Sequence, residues 1–110
     1  MTINVLGTEY TIEYKNASED ALMFEMDGYC DKTSKRIVVS TKDDGCNLDI
    51  FAEYQKKVLR HEIVHAFMFE SGLAENWEHK NIGQEETVVD WFAIQGLKIY
   101  NAWKQADCIK

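Results

Sequence analysis

The chain has 110 residues, enough to build one core across 1–110 but too few for a core plus a separate substrate-binding lobe. Hydrophobic residues make up 45% and charged residues 28%, a globular balance that excludes a disordered chain. Nineteen acidic residues against twelve basic ones give a net charge of -7, so nucleic acid, whose binding begins with phosphate neutralisation, is not an expected partner.

Met1 to Gly7 carries no basic segment and no long apolar core, and no later run approaches the ~20 apolar residues of a membrane span. A cytoplasmic protein is expected, with no membrane partner. Cys30, Cys46 and Cys108 are odd in number and lack C-x-x-C spacing, which argues for reduced thiols and against a cysteine metal site.

Ile3 and Val5, then Tyr10, Ile12 and Tyr14, alternate with polar residues around Gly7-Thr8, and this period of two predicts a β-hairpin. After a polar connection over 15–20, Leu22, Phe24 and Met26 alternate again, Asp27-Gly28 breaks or bends the strand, and Tyr29-Cys30-Asp31 extends it. The β-branched run Ile37-Val38-Val39 within Arg36–Ser40 completes a sheet of about four strands. There is no internal repeat, low-complexity segment or proline-marked boundary.

A loop at 42–45 leads, through Asn47 or Asp49 as a cap, into a helix over about 48–71, with Gly72 as its stop. Tyr54, Val58, His61, His65 and Met68 recur in steps of three and four, which predicts that both histidines lie on the buried stripe. The run His61-Glu62-Ile63-Val64-His65 has the H-E-x-x-H form. Residues four apart share a helix face, so both imidazoles can reach one metal ion, while Glu62 stands beside it to take a proton from bound water. The competing reading is two histidines packed in a core, which would occupy the same stripe.

A loop over 73–83 carries Trp77 and His79, and a second helix is predicted over about 84–104, with Asn81 and Gln84 as a capping pair. Its stripe reads Glu86, Val89, Ala93, Gly96, Tyr100 and Trp103, which places Glu86 on the apolar face, where a carboxylate needs a cation or a metal. Glu85, about 100° away, is expected to be more exposed. An acid at a helix N-terminus is also favoured by the dipole alone, so Glu86 stays a candidate beside His79 for the third ligand position. Asp90, four residues on, is either an outer hydrogen-bond acceptor for a liganding histidine or a solvated side chain.

His61-Glu62-Ile63-Val64-His65 followed by Glu86-Thr87-Val88-Val89-Asp90 resembles the gluzincin pattern of zinc peptidases. More narrowly, the chain resembles short phage-related proteins of the ImmA/IrrE metallopeptidase type. In those a small sheet precedes a helix of the form L-x-H-E-x-x-H-A, here Leu59 to Ala66, and the third ligand precedes an F-A pair, here Phe92-Ala93. The resemblance spans about 24–104 by order of elements. It departs at Asp90, where those proteins commonly carry asparagine.

The resemblance implies an α+β, minimal zincin-like fold, with the four-strand sheet packed on the H-E-x-x-H helix and a second C-terminal helix. It implies zinc held by His61, His65 and Glu86, with Glu62 as general base, in a peptidase acting on a peptide or protein. It also implies that the edge of strand Arg36–Ser40 receives an extended substrate. His79, seven residues before Glu86, is the candidate to help stabilise the oxyanion. Two alternatives remain. One is a zinc-stabilised interaction protein that cleaves nothing, against which the presence of Glu62 counts. The other is an SprT-like DNA-associated protease with His79 as third ligand, against which the acidic balance counts.

Overall fold

The computed structural model describes residues 1–41, 48–76 and 86–109. The expected capping residues Asn47 and Asp49 and the expected pair Asn81 and Gln84 fall outside the described residues or side chains. The architecture is α+β. Strands β1 (Thr2–Val5), β2 (Thr8–Lys15), β3 (Gly28–Asp31) and β4 (Arg36–Ser40) precede helices α1 (Leu48–Glu70) and α2 (Glu86–Gln105).

The sheet is mixed, in the order β1-β2-β4-β3, with a parallel β2–β4 pair flanked by two antiparallel hairpins. The expected first hairpin is present and turns through Leu6 and Gly7, at φ 52° and 95°. Two consecutive left-handed residues match the strand twist of a two-residue hairpin. Gly7 adopts this conformation freely, and its N–H donates to Asn4 Oδ1 at 2.7 Å.

Two strand expectations need correction. Leu22, Phe24 and Met26 do not form a strand: residues Ala21–Phe24 make a 3-10 turn, because Asp20 accepts from the Leu22 N–H and caps it. All three apolar residues are exposed, Phe24 by 78%, and it is Met23 between them that is buried. Nor does Arg36–Ser40 offer an edge. It is paired on both sides, in parallel with β2 and antiparallel to β3, and its run of three β-branched residues is buried on both faces as a central strand requires. The edge beside it is β3.

Ile3, Val5, Tyr10, Ile12, Ile37 and Val39 form the sheet side of the core, which is completed by Leu59, Ile63, Ala66 and Phe67 from α1, Ile99 and Ala102 from α2, and Ala106 just after it. The two helices run antiparallel. Trp91 Nε1 donates to Ser71 Oγ (2.8 Å) at one end, and Arg60 Nη1 donates to the carbonyl of Cys108 (2.7 Å) at the other. Gly72, at φ 86°, stops α1 as expected.

Both helices are rotated from the predicted phase. On α1 the buried stripe is Leu59, Glu62, Ile63, Ala66 and Phe67, one residue and about 100° on from the expected Val58, His61 and His65. On α2 it runs through Ile99, Ala102 and Ala106, while Ala93 and Tyr100 are exposed. Among the described residues no helix is long and apolar enough to cross a membrane.

Candidate metal centre

His61 and His65 lie one helical turn apart, with ring centroids 4.8 Å apart and planes at 70°. Their Nε2 atoms converge to 3.1 Å. Two nitrogens each ~2.0–2.1 Å from one tetrahedral zinc ion stand about 3.3 Å apart, so the pair is set close to ligand spacing. A hydrogen bond between neutral rings gives the same contact; either way, the two nitrogens address one point.

The rotation of α1 changes the surroundings expected for these rings. His61 is exposed and His65 half-buried, stacked on Phe69 at 6.3 Å, so the prediction that both lie on the buried stripe is not met. The same fact removes the competing reading, since an exposed ring is not a packed core histidine. Burial, and secondarily the charge of His61, moves the pKa of His65 below its ordinary value. Both causes favour the neutral ring, the form in which a histidine binds a metal.

Glu62 occupies the buried position instead, only 7% exposed. Among the described residues no hydrogen bond reaches its carboxylate. Burial raises its pKa and the neighbouring charge of His61 pulls the other way. A carboxyl desolvated without a hydrogen-bonding partner, on the wall of a cleft, is the environment in which catalytic bases are tuned.

That cleft, of about 410 Å³, is lined by Met26, Asp27 and Gly28 on the approach to β3 and by Tyr54, Lys57, Val58, His61 and Glu62 on α1. Tyr54 Oη donates to Asp27 Oδ2 (2.5 Å) and ties the two walls at the cleft. Gly28 is needed for their close approach. A β-carbon there would stand 2.7 Å from Val58 Cγ1, 3.1 Å from the Val38 carbonyl and 3.5 Å from Glu62 Cγ. Cys30, next on this strand but one, has its thiol pushed up to about 12 by burial and by the Glu62 charge, so it is an unreactive thiol rather than a nucleophile.

The remaining expected site residues are not brought into this geometry by any described contact. Glu85 and His79 lie outside the described residues, and Glu86 opens α2 with its side chain likewise outside. The displaced stripe on α2 removes the phase argument for Glu86, which leaves the motif spacing as its support. Asp90 is exposed, and among the described residues it is not hydrogen-bonded to either imidazole. Phe92 and Ala93 are exposed as well. Among the described residues no third His, Cys, Asp or Glu completes a three-ligand group.

Sequence reasoning missed Tyr54, Asp27, Lys57 and Gly28 as cleft residues. Asp27-Gly28 had been legible only as a strand breaker, and nothing in the spacing tells that the glycine abuts Val58 of α1, thirty residues away. No protein-family model, curated protein or solved structure matches the chain.

Proposed function

We propose that the chain is a small zinc-dependent metallopeptidase of the gluzincin type, on a minimal zincin-like fold and related to the ImmA/IrrE proteins. One observation carries this reading: two imidazole nitrogens 3.1 Å apart, near the spacing of two ligands on one tetrahedral ion, beside a buried carboxyl that lines a cleft. His61 and His65 are the residues to hold the metal; Glu86, one turn before Asp90 on α2, is kept as third ligand on motif spacing alone, with His79 as its rival. Bound there, zinc supplies Lewis acidity toward water and toward a carbonyl oxygen.

Glu62 takes the proton of the attacking water and passes it to the leaving amine. In the metal-free protein burial holds this carboxyl above its ordinary value, which makes the carboxylate a stronger base than a solvated glutamate. The peptide is taken at the outer edge of β3, which among the described residues pairs only with β4 and opens the cleft at Gly28. Strand addition there supplies main-chain hydrogen bonds, and alternate side chains of the substrate turn toward Tyr54 and Lys57. His79 is the residue proposed to steady the oxyanion.

The test is Glu62→Gln, assayed against a broad peptide library and for zinc content. Zinc is expected to stay at about one per chain while hydrolysis disappears. A wild type that binds zinc but cleaves no more than the variant is a zinc-stabilised interaction protein. The ligand set is read separately: Glu86→Ala weakens zinc binding strongly, Glu85→Ala leaves it nearly unchanged, and His79→Ala slows turnover more than it weakens zinc. Loss of zinc in His79→Ala with retention in Glu86→Ala assigns the SprT-like ligand set instead.

A further inference from the structure

The side of α2 turned away from the core is apolar. Leu97 is 79% exposed and Ile94 66%, with Tyr100 and Ala93 also exposed. Asp90, Ala93, Leu97, Tyr100 and Lys104 recur in steps of three and four, with Ile94 three residues before Leu97, so they fall on one face, nearly opposite the Ile99, Ala102 and Ala106 face that enters the core. A contiguous apolar strip of this kind marks a contact surface, whereas scattered exposed leucines do not.

The charges on the strip say what covers it. It begins at an acid, Asp90, and ends at a base, Lys104, fourteen residues or about 21 Å further on. Lys104 Nζ stands 5.5 Å from the Tyr100 ring centroid, so the basic end is already set over the strip. A strip with an acid at one end and a base at the other is complementary to itself when turned end for end. A two-fold axis beside Leu97 sets Leu97 against its own copy, Ile94 against Tyr100 and Asp90 against Lys104. That is the self-matching an isologous contact requires.

The charge of the whole chain points the same way. The net charge is -7, but α2 carries two acids and two lysines and is neutral. Two copies approaching through α2 therefore bring no net charge of that helix together.

We infer that the outward face of α2 is a homodimer interface, formed by antiparallel pairing of two α2 helices about Leu97. A contact of one helix per subunit is at the small end of specific interfaces, so a dissociation constant of roughly 10–100 µM is expected. The inference does not depend on zinc or on peptide hydrolysis.

Sedimentation velocity across a concentration series tests it, with chelator present so that His61 and His65 cannot join copies through a metal. Wild type is expected to pass from monomer to dimer as concentration rises. Leu97→Glu sets two like charges at the axis and should stay monomeric, with an unchanged circular dichroism spectrum because the side chain is outside the core. Asp90→Lys and Lys104→Asp singly should each weaken the dimer about tenfold, and the double exchange should restore it. A wild type that is monomeric throughout overturns the inference, as does a dimer that survives Leu97→Glu. A double exchange that fails to restore association overturns the antiparallel register.

Discussion

Glu62 and Glu70 stand two turns apart on α1 and meet opposite surroundings. Glu70 accepts from Thr8 Oγ1 (3.1 Å), from Tyr10 Oη (2.7 Å) and from Lys35 Nζ (2.7 Å), and so fastens the end of the helix to the first hairpin and to the β3–β4 turn. The Lys35 bond leads the causes that hold its carboxyl below the ordinary glutamate value. Glu62 is buried with no such bond among the described residues, and its pKa is raised. One glutamate spends its lone pairs on the fold. The other keeps them for whatever enters the cleft.

The largest expected effect is on Glu62. Glu62→Gln should lower hydrolysis by about 10²–10⁴-fold. It should also leave the metal-free protein at least as stable at neutral pH. The sign follows from linkage. A carboxyl whose folded pKa is raised destabilises the fold as pH climbs from the unfolded value, ~4.3, through the higher folded one. Removing the charge removes that slope. Thermal melts of metal-free wild type and variant between pH 4 and 8 read it, and a variant less stable than wild type at pH 7 would make Glu62 a structural residue.

Glu70→Gln should do the reverse. It loses a charged hydrogen bond and disturbs two others, which costs about 2 kcal/mol, roughly 10 °C in melting temperature for a domain of this size. Zinc content should not change. Because the folded pKa of Glu70 is lowered, its stabilisation is complete above the unfolded value and is lost as pH falls through the folded one. The gap between wild type and variant should therefore close in acid. A gap that persists unchanged at low pH contradicts the role given to Lys35.

A third substitution sharpens the comparison by moving Glu62 without altering it. In Gly28→Ala the new methyl meets Val58 and the backbone of Val38, a strain of about 1–3 kcal/mol. Glu62 Cγ lies 3.5 Å from the same methyl, so turnover should fall more than zinc affinity. Equal losses in both would place Gly28 in the support of the whole site rather than of the base.

The paired glutamate was not legible in the sequence, because its partners Thr8, Tyr10 and Lys35 are far away in the chain and only the folded sheet brings them together. The grouping of His61, Glu62 and His65 was legible, since H-E-x-x-H is local and a helix fixes its geometry. The same locality explains what was read correctly elsewhere: the first hairpin, the span of both helices and the Gly72 stop. The errors were of phase and pairing. An apolar stripe on a helix tolerates a shift of one residue when both neighbouring registers hold apolar side chains, as Val58 and Leu59 do. The Leu22-Phe24-Met26 alternation was outweighed by one capping aspartate. The central place of β4 follows from a parallel pairing with β2, which no local pattern encodes.

That parallel pair has a kinetic consequence. Each hairpin closes locally, in microseconds as such units do, but Thr11 and Arg36, which open the β2–β4 register, are 25 residues apart. Joining the hairpins must overcome the entropy of closing that loop before the buried Ile12, Ile37 and Val39 return any stabilisation. The barrier to folding is therefore expected at the meeting of the two hairpins, with α2 docking after it. Ile37→Val should slow folding, whereas Ile99→Val, on the late helix, should mainly speed unfolding. Stopped-flow measurements on the two variants distinguish this order from its reverse, in which α2 would already be seated when the sheet closes.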